Sequence, residues 1–169
     1  MTKKVAIIAS KGQLSDAFPP VIIASTAAAL DMEVQIFFTF FGLELINRHK
    51  VNIDKYKDKL KVSPLGNAAM PGPKLPIIGS MPVPAWMAAL PGMSKFATWM
   101  MRSWMKKAHV ASYAELLEAC IESDVKLVGC QMTMDVFGYK KEDMIDGVEV
   151  GGAATFLEFA QDADITLFM

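Results

Sequence analysis

The chain has 169 residues, 53% of them hydrophobic, with a mean hydropathy of +0.30 and a formal net charge of −1. That length fits one domain whose core needs no staples, and with a net charge so near zero nothing recommends nucleic acid as a partner. Two cysteines make no disulfide framework, so a reducing, cytoplasmic setting is expected; Met-Thr-Lys-Lys leads into too short an apolar run for a signal peptide. The apolar excess implies surface hidden beyond an ordinary core, in an oligomer interface or against a membrane.

In chain order, Val5 to Ser10 is a compact apolar run closed by Lys11-Gly12, the pattern of a buried strand and a tight loop. Asp16 is placed to cap the next helix, with Pro19-Pro20 in its first turn and Ala27-Ala28-Ala29 near its end at about Leu30. Glu33 to Phe41 is apolar on both faces, as a central parallel strand should be, until Gly42 breaks it and a short helix runs from Leu43 to Arg48. Strand, helix and strand make a βαβ unit. Its first loop lacks the GxGxxG and GxxxxGK[ST] spacings, so Lys11 reads as a solvated turn residue and not as a phosphate ligand. Asn52 to Lys61 is charged and helical in flavour, and Val62-Ser63-Pro64 turns the chain.

The composition then changes. Seven of the nine prolines fall between Pro64 and Pro91, and seven of the thirteen methionines, with all three tryptophans, between Met70 and Met105. This predicts an insertion at about 64–109 outside the repeating βα pattern. Pro82, Pro84, Pro91 and Lys95 break its apolar run well short of the roughly 20 residues of a membrane span. Trp86 to Lys107 reads as one or two amphipathic helices, with Phe96, Trp99, Met100 and Trp104 on one face and Lys95, Arg102, Lys106 and Lys107 on the other. Two uses fit: a mobile cover over the site or a neighbouring subunit, or docking at a membrane interface. The absence of a basic cluster longer than Lys106-Lys107 weighs toward the cover. A copper site on Met100, Met101 and Met105 lacks a nearby His or Cys, and His109 reads as a helix-end residue, so no metal site is expected.

Ser112-Tyr113-Ala114-Glu115 is a capping box opening a helix whose apolar face is Tyr113, Leu116, Leu117, Cys120 and Ile121. Val125 to Cys130 is a further buried strand, followed by a helical stretch interrupted by Gly138. Val148 to Val150 reads as a short strand, Gly152 to Gln161 as a helix with Phe156, Leu157 and Ala160 inward, and Ile165 to Met169 as a last strand. The alternation predicts an α/β fold, a three-layer α/β/α sandwich with a mostly parallel sheet of about five strands.

Cys130 closes its strand where the chain turns into a helix, the edge at which open α/β sheets collect ligands and where backbone N–H groups favour a thiolate. Cys120 and Cys130 are not a redox pair. Cys120 should lie about 6 Å above the lower sheet edge and Cys130 roughly 16–20 Å above it, against the ~7 Å a disulfide tolerates. Gln131, Thr133 and Asp135 are candidates for holding the sulfur or for capping the helix.

Gly-Cys-Gln-Met-Thr-Met-Asp-Val-Phe-Gly at 129–138 resembles the cysteine motif of the DsrE/DsrF-like family, in the subgroup sometimes labelled peroxiredoxin-like. Val5 to Leu14, Phe37 to Leu43, Ile145 to Glu149 and the Leu-Phe-Met ending extend the resemblance over nearly the whole chain, Pro/Met-rich insertion included. The threonine and arginine that activate a peroxidatic cysteine have no recognisable counterpart. The resemblance implies a homo-oligomer (trimer or hexamer), a Cys130 that carries sulfane sulfur as persulfide or thiosulfonate, and a TusA-type sulfur carrier or a rhodanese as partner. The function expected is a cytoplasmic sulfurtransferase or sulfur carrier passing sulfur from Cys130 to a partner thiol, a thiolate exchange that requires no cofactor. The reading of a different class is a non-enzymatic oligomeric adaptor. It would dock to a membrane or a protein through 86–107, with peripheral membrane contact there and Cys130 incidental.

Overall fold

The computed structural model of the protein describes residues 2–62, 71–75, 79–82 and 90–169, with backbone alone for the two short central stretches. The expectations placed on Ser63-Pro64 and on Trp86, the start of the amphipathic segment, lie outside the described residues. The chain forms two compact units, residues 1–60 with 111–169, and residues 61–110.

The first unit is built on a sheet of five parallel strands: β1 (Lys4–Ala9), β2 (Glu33–Phe38), β7 (Lys126–Cys130), β8 (Val148–Gly151) and β9 (Ile165–Phe168), in the order β8-β7-β2-β1-β9. Successive side chains alternate between faces. Ala6, Phe37, Val128 and Cys130 therefore share one face, covered by Phe156 of the helix Ala153–Ala160 (α5). Val5, Ile7, Val34, Ile36 and Leu127 point the other way and are fully buried. On that side lie α1 (Leu14–Ala29) and α3 (Tyr113–Glu122), which pack on each other; α1 also packs on β1 and β2. Leu14, Ala17, Val21 and Ala24 of α1 recur at helical spacing, and the small side chains let it lie close to the strands. Helices on both faces of a parallel sheet give the three-layer α/β/α sandwich that the strand–helix alternation predicts.

Several local expectations are corrected. The N-cap of α1 is Gln13, whose carbonyl accepts from Asp16 and Ala17 N–H at 3.1 and 3.0 Å, and no side chain caps it. Asp16 thus lies in the first turn, and Pro19 and Pro20 lie inside the helix, where they deny an i→i−4 donor to the Ser15 and Asp16 carbonyls. Strand β2 stops at Phe38, not Phe41, because Phe40 adopts φ +48° and a 3-10 helix runs over Phe40–Leu45. The stretch expected to be helical after Asn52 is a small antiparallel pair, β3 (Val51–Asn52) with β4 (Lys57–Asp58). The Asn52 carboxamide accepts the Lys55 N–H at 2.8 Å and Tyr56 takes φ +48°, which turns the chain instead of winding it. On α5, Phe156 is buried as expected, but Leu157 is 62% exposed.

The capping box stands: Ser112 Oγ accepts the Glu115 N–H, and the Glu115 carboxylate accepts the Ser112 N–H. Cys120 is a core residue, its thiol donating to the Val21 carbonyl at 3.4 Å, and both cysteines are free. The fully buried Tyr113 donates to the Leu45 carbonyl at 3.0 Å, tying the 3-10 helix that follows β2 to α3.

In the second unit the described backbone includes an antiparallel pair, β5 (Pro71–Leu75) with β6 (Gly79–Pro82), and the helix α2 (Met93–Lys107). Thr98 Oγ1 accepts the Val62 N–H at 2.9 Å and Ser94 Oγ donates to the Val62 carbonyl at 2.9 Å, so α2 is held to the chain that enters the unit. Ala97 is its one buried hydrophobic residue. Of the two expected faces of α2, Phe96, Trp99 and Trp104 of the one and Lys95, Lys106 and Lys107 of the other are all exposed. His109 lies just beyond the helix end at φ +54°.

Two glycines let the loops of the carboxyl edge interlock. A Cβ on Gly42 would collide with the Ala9 carbonyl at the end of β1, and one on Gly12 with the Phe41 carbonyl. Gly42→Ala should therefore lower stability by about 1–3 kcal/mol, as overpacking does, read as a fall in the thermal midpoint. An unchanged midpoint would mean the two loops can separate freely.

Candidate functional site

The parallel register aligns the carboxyl ends of β2 and β7: Phe38 pairs with Gly129, so Thr39 and Cys130 emerge side by side. Cys130 is at once the last residue of β7 and the N-cap of α4 (Gln131–Phe137), with φ −68° and ψ 113°. Its first-turn amides point back along the helix axis toward the thiol. Thr133, 1% exposed, lies one turn into α4. Its Oγ1 is 3.2 Å from Thr39 Oγ1 and accepts the Phe40 N–H at 3.3 Å. That N–H occupies a lone pair on Thr133, which leaves the hydroxyl proton for another acceptor. Phe40 is itself left-handed, a conformation that costs about 1–3 kcal/mol in a bulky residue, and the bond from its amide to Thr133 helps hold it there.

Burial is the largest single influence on the Cys130 thiol and pushes its pKa up. Four hydrogen-bond donors oppose it, the Thr133 hydroxyl and amide, the Thr39 hydroxyl and the Met132 amide, and their sum wins, so the pKa falls below the ordinary thiol value. Cys120 shows the contrary case, pushed up by burial to about 12. The same residue type is an inert hydrophobe in one place and an activated thiol in the other.

Cys130 is itself only 5% exposed, yet its surroundings are open. Met132 and Val136 of α4 and Phe40 and Phe41 after β2 are exposed apolar side chains. The Phe41 and Phe137 rings stack with centroids 5.7 Å apart, and Tyr139 meets Phe137 edge-on at 5.9 Å. Of the polar candidates on α4, Thr133 alone is brought to the sulfur. Gln131 Nε2 donates to Asp135 Oδ1 at 2.7 Å across one exposed turn of the helix. Thr39 was not singled out from the sequence; a hydroxyl ending an apolar strand beside the strand of the cysteine was the available signal. Lys11 is exposed at the end of β1. Among the described residues no group of three or more His, Cys, Asp or Glu side chains could hold a metal ion.

A parallel α/β sheet with one activated thiol at its carboxyl edge defines the class. The chain belongs to the DsrE/DsrF/DrsH-like family, whose model matches residues 1–168. It is 49% identical over 172 residues to the sulfur carrier protein DsrE2 of Allochromatium vinosum, covering 99% of this chain and 98% of that one. It is 31% identical, with the same coverage, to the uncharacterized protein YrkE of Bacillus subtilis. The crystal structure of the YchN protein from E. coli aligns over the whole of both chains at 14% identity and a TM-score of 0.48.

Iodoacetamide near neutral pH should alkylate Cys130 in the folded protein and spare Cys120, whereas both react in denaturant. Because a lowered pKa keeps the thiolate populated to lower pH, the Cys130 rate should fall only as pH drops below the ordinary thiol range. Thr133→Val keeps the volume but removes a donor, and should slow alkylation near neutral pH by about tenfold. An unchanged rate and pH profile would show that the hydroxyl does not stabilise the thiolate.

Proposed function

We propose that the protein is a cytoplasmic sulfurtransferase or sulfur carrier that holds sulfane sulfur on Cys130 and delivers it to the thiol of a partner protein. The observation that carries this reading is the low-pKa thiol held by Thr39, Thr133 and two amides at the sheet edge; the 49% identity to a named sulfur carrier supports it. The Cys130 thiolate attacks the outer sulfur of a donor persulfide, R–S–SH. The S–S bond breaks, R–S⁻ leaves, and Cys130 carries –S–SH. With tetrathionate the central S–S bond breaks instead, thiosulfate leaves, and Cys130 carries a thiosulfonate. In the second half-reaction a partner thiolate attacks the outer sulfur of the Cys130 persulfide and regenerates the Cys130 thiolate. No net oxidation occurs, and the chemistry needs access and a good leaving thiolate, not an acid–base pair.

The partner is a small TusA-type carrier or a rhodanese, for which the exposed Phe40, Phe41, Met132 and Val136 around the thiol offer an apolar seat. The residues 64–109 are read as an insertion in a single domain of this family. A homo-oligomer, trimer or hexamer, would hide apolar side chains such as Leu157 and Phe168, which are exposed in the single chain.

Mass spectrometry after incubation with thiosulfate, tetrathionate or polysulfide should show a sulfur or thiosulfonate adduct on Cys130. Cys130→Ser should abolish it in a folded protein, and Cys120→Ser should load normally while losing about 1–3 kcal/mol of stability, because a hydroxyl is costlier to bury than a thiol even with the Val21 carbonyl beside it. Loading retained in Cys130→Ser and lost in Cys120→Ser would overturn the assignment. Sedimentation velocity should give a species well above the 18.5 kDa of one chain; a clean monomer counts against the oligomer.

A further inference from the structure

The donors around Cys130 serve one of its two working states. As a thiolate, Sγ takes bonds from the Thr133 hydroxyl and amide, the Thr39 hydroxyl and the Met132 amide. Once a second sulfur is attached, Sγ is a bridging, uncharged atom and only a weak acceptor, like a thioether. The charge has moved to the outer sulfur, displaced by one S–S bond, about 2 Å, from the point on which the donors converge. Those donors are fixed by the start of α4 and by the register of β2 against β7, and do not follow it. The hydroxyls have a second arrangement, because Thr39 Oγ1 and Thr133 Oγ1 lie 3.2 Å apart and one can donate to the other when the sulfur no longer accepts. The loaded site thus keeps its hydroxyls paired but loses the charge-assisted bonds, the stronger kind.

From this we propose that Cys130 is the emitting end of a relay: the fold stabilises it as a leaving thiolate, so sulfur runs downhill from Cys130 to an ordinary thiol and not the reverse. The inference rests on the sulfur reading above and adds its direction. In the discharge step the acceptor thiolate attacks the outer sulfur. A new S–S bond forms as the bond to Sγ breaks, and the electron pair stays on Sγ, where the donors already point. The proton on the outer sulfur travels with it, and neither oxidant nor reductant is consumed. The same donors make each Cys130 thiolate a weaker attacker, since nucleophilicity falls with basicity while a less basic thiolate leaves faster. The reaction that loads Cys130 must therefore release an anion at least as well stabilised, such as the shortened chain of an inorganic polysulfide or another activated thiolate. A persulfide of an ordinary low-molecular-weight thiol should load it poorly.

The test is the partition of sulfane sulfur between the full chain and glutathione, a thiol of ordinary pKa, at about pH 8. It is approached from both sides, with polysulfide-loaded protein plus glutathione and with unloaded protein plus glutathione persulfide, and Cys130 occupancy is read by mass spectrometry. Both routes should end with the sulfur mostly on glutathione. Thr133→Val should shift the equilibrium about tenfold toward Cys130. Divided by a Brønsted coefficient of about one half, that makes discharge about threefold slower and loading per thiolate about threefold faster. Loading per thiolate is taken from the plateau of its pH profile; a merely structural lesion would slow both steps and leave the equilibrium in place. Thr39→Val should act in the same sense, and Thr133→Ser, which restores the hydroxyl, should restore the partition. Cys120, alkylated only in denaturant, reports that each variant is folded. Sulfur resting mainly on Cys130 from both sides overturns the inference, and so does an equilibrium that neither valine variant moves; the sulfur reading stands in both cases. No adduct on Cys130 from polysulfide overturns the sulfur reading and this inference with it.

Discussion

Burial and hydrogen bonding pull the Cys130 thiol in opposite directions, and the site exists because the second prevails. A thiolate under a nearly closed surface loses solvation that only oriented donors can replace. Those donors come from two chain segments far apart in sequence, the end of β2 and the first turn of α4. They meet because β2 and β7 are adjacent and parallel with Phe38 opposite Gly129. A slip of one residue in that register would turn Cys130 to the other face of the sheet. Gly12 and Gly42 belong to the same requirement, since the loops after β1 and β2 can share this edge only where a Cβ is missing.

The two cysteines show how little residue type decides by itself. Cys120 sits between α3 and α1, where its thiol donates to the Val21 carbonyl and burial outweighs the one backbone donor, of Ser25, that would favour a thiolate. Cys130 faces four donors. What differs is the number of donors set against burial, and that follows from position: the flank of a helix for Cys120, the junction of a strand and a helix start for Cys130.

Much of the fold was legible in the sequence because its strongest signals are local. The apolar runs at Val5, Glu33 and Val125 mark central strands, and the Ser112 box marks the start of α3. The failures have local causes of another kind. The Asn52 turn beat a charged, helix-like composition through a side-chain bond that reaches three residues along the chain. Phe40 ended β2 early through a left-handed conformation that no propensity favours, and that depends on a partner, Thr133, lying 93 residues away. The cysteine was readable as a strand-end thiol, and Thr133 as a neighbour in its motif. Thr39 was not, because its role depends on strand order, which periodicity does not encode. Leu157 fits the helical pattern of α5 but lies on a flank that the single chain leaves uncovered.

Screening determines which of the molecule's charges a surface would feel. The residues outside 61–110 carry formal charges that sum to −7, and the unit itself +6, so the net charge of −1 describes neither. At physiological salt a charge is felt over about 8 Å, so an approaching neighbour responds to the face presented to it and not to the total. An evenly mixed chain of the same composition would offer no such face. Segregation leaves the unit that carries Cys130 acidic and the unit that carries α2 cationic. Part of the apolar composition lies in side chains that the single chain leaves exposed, Phe96 and Trp99 of α2 and Phe40 and Phe41 after β2, and among the described residues no helix is long and apolar enough to cross a membrane.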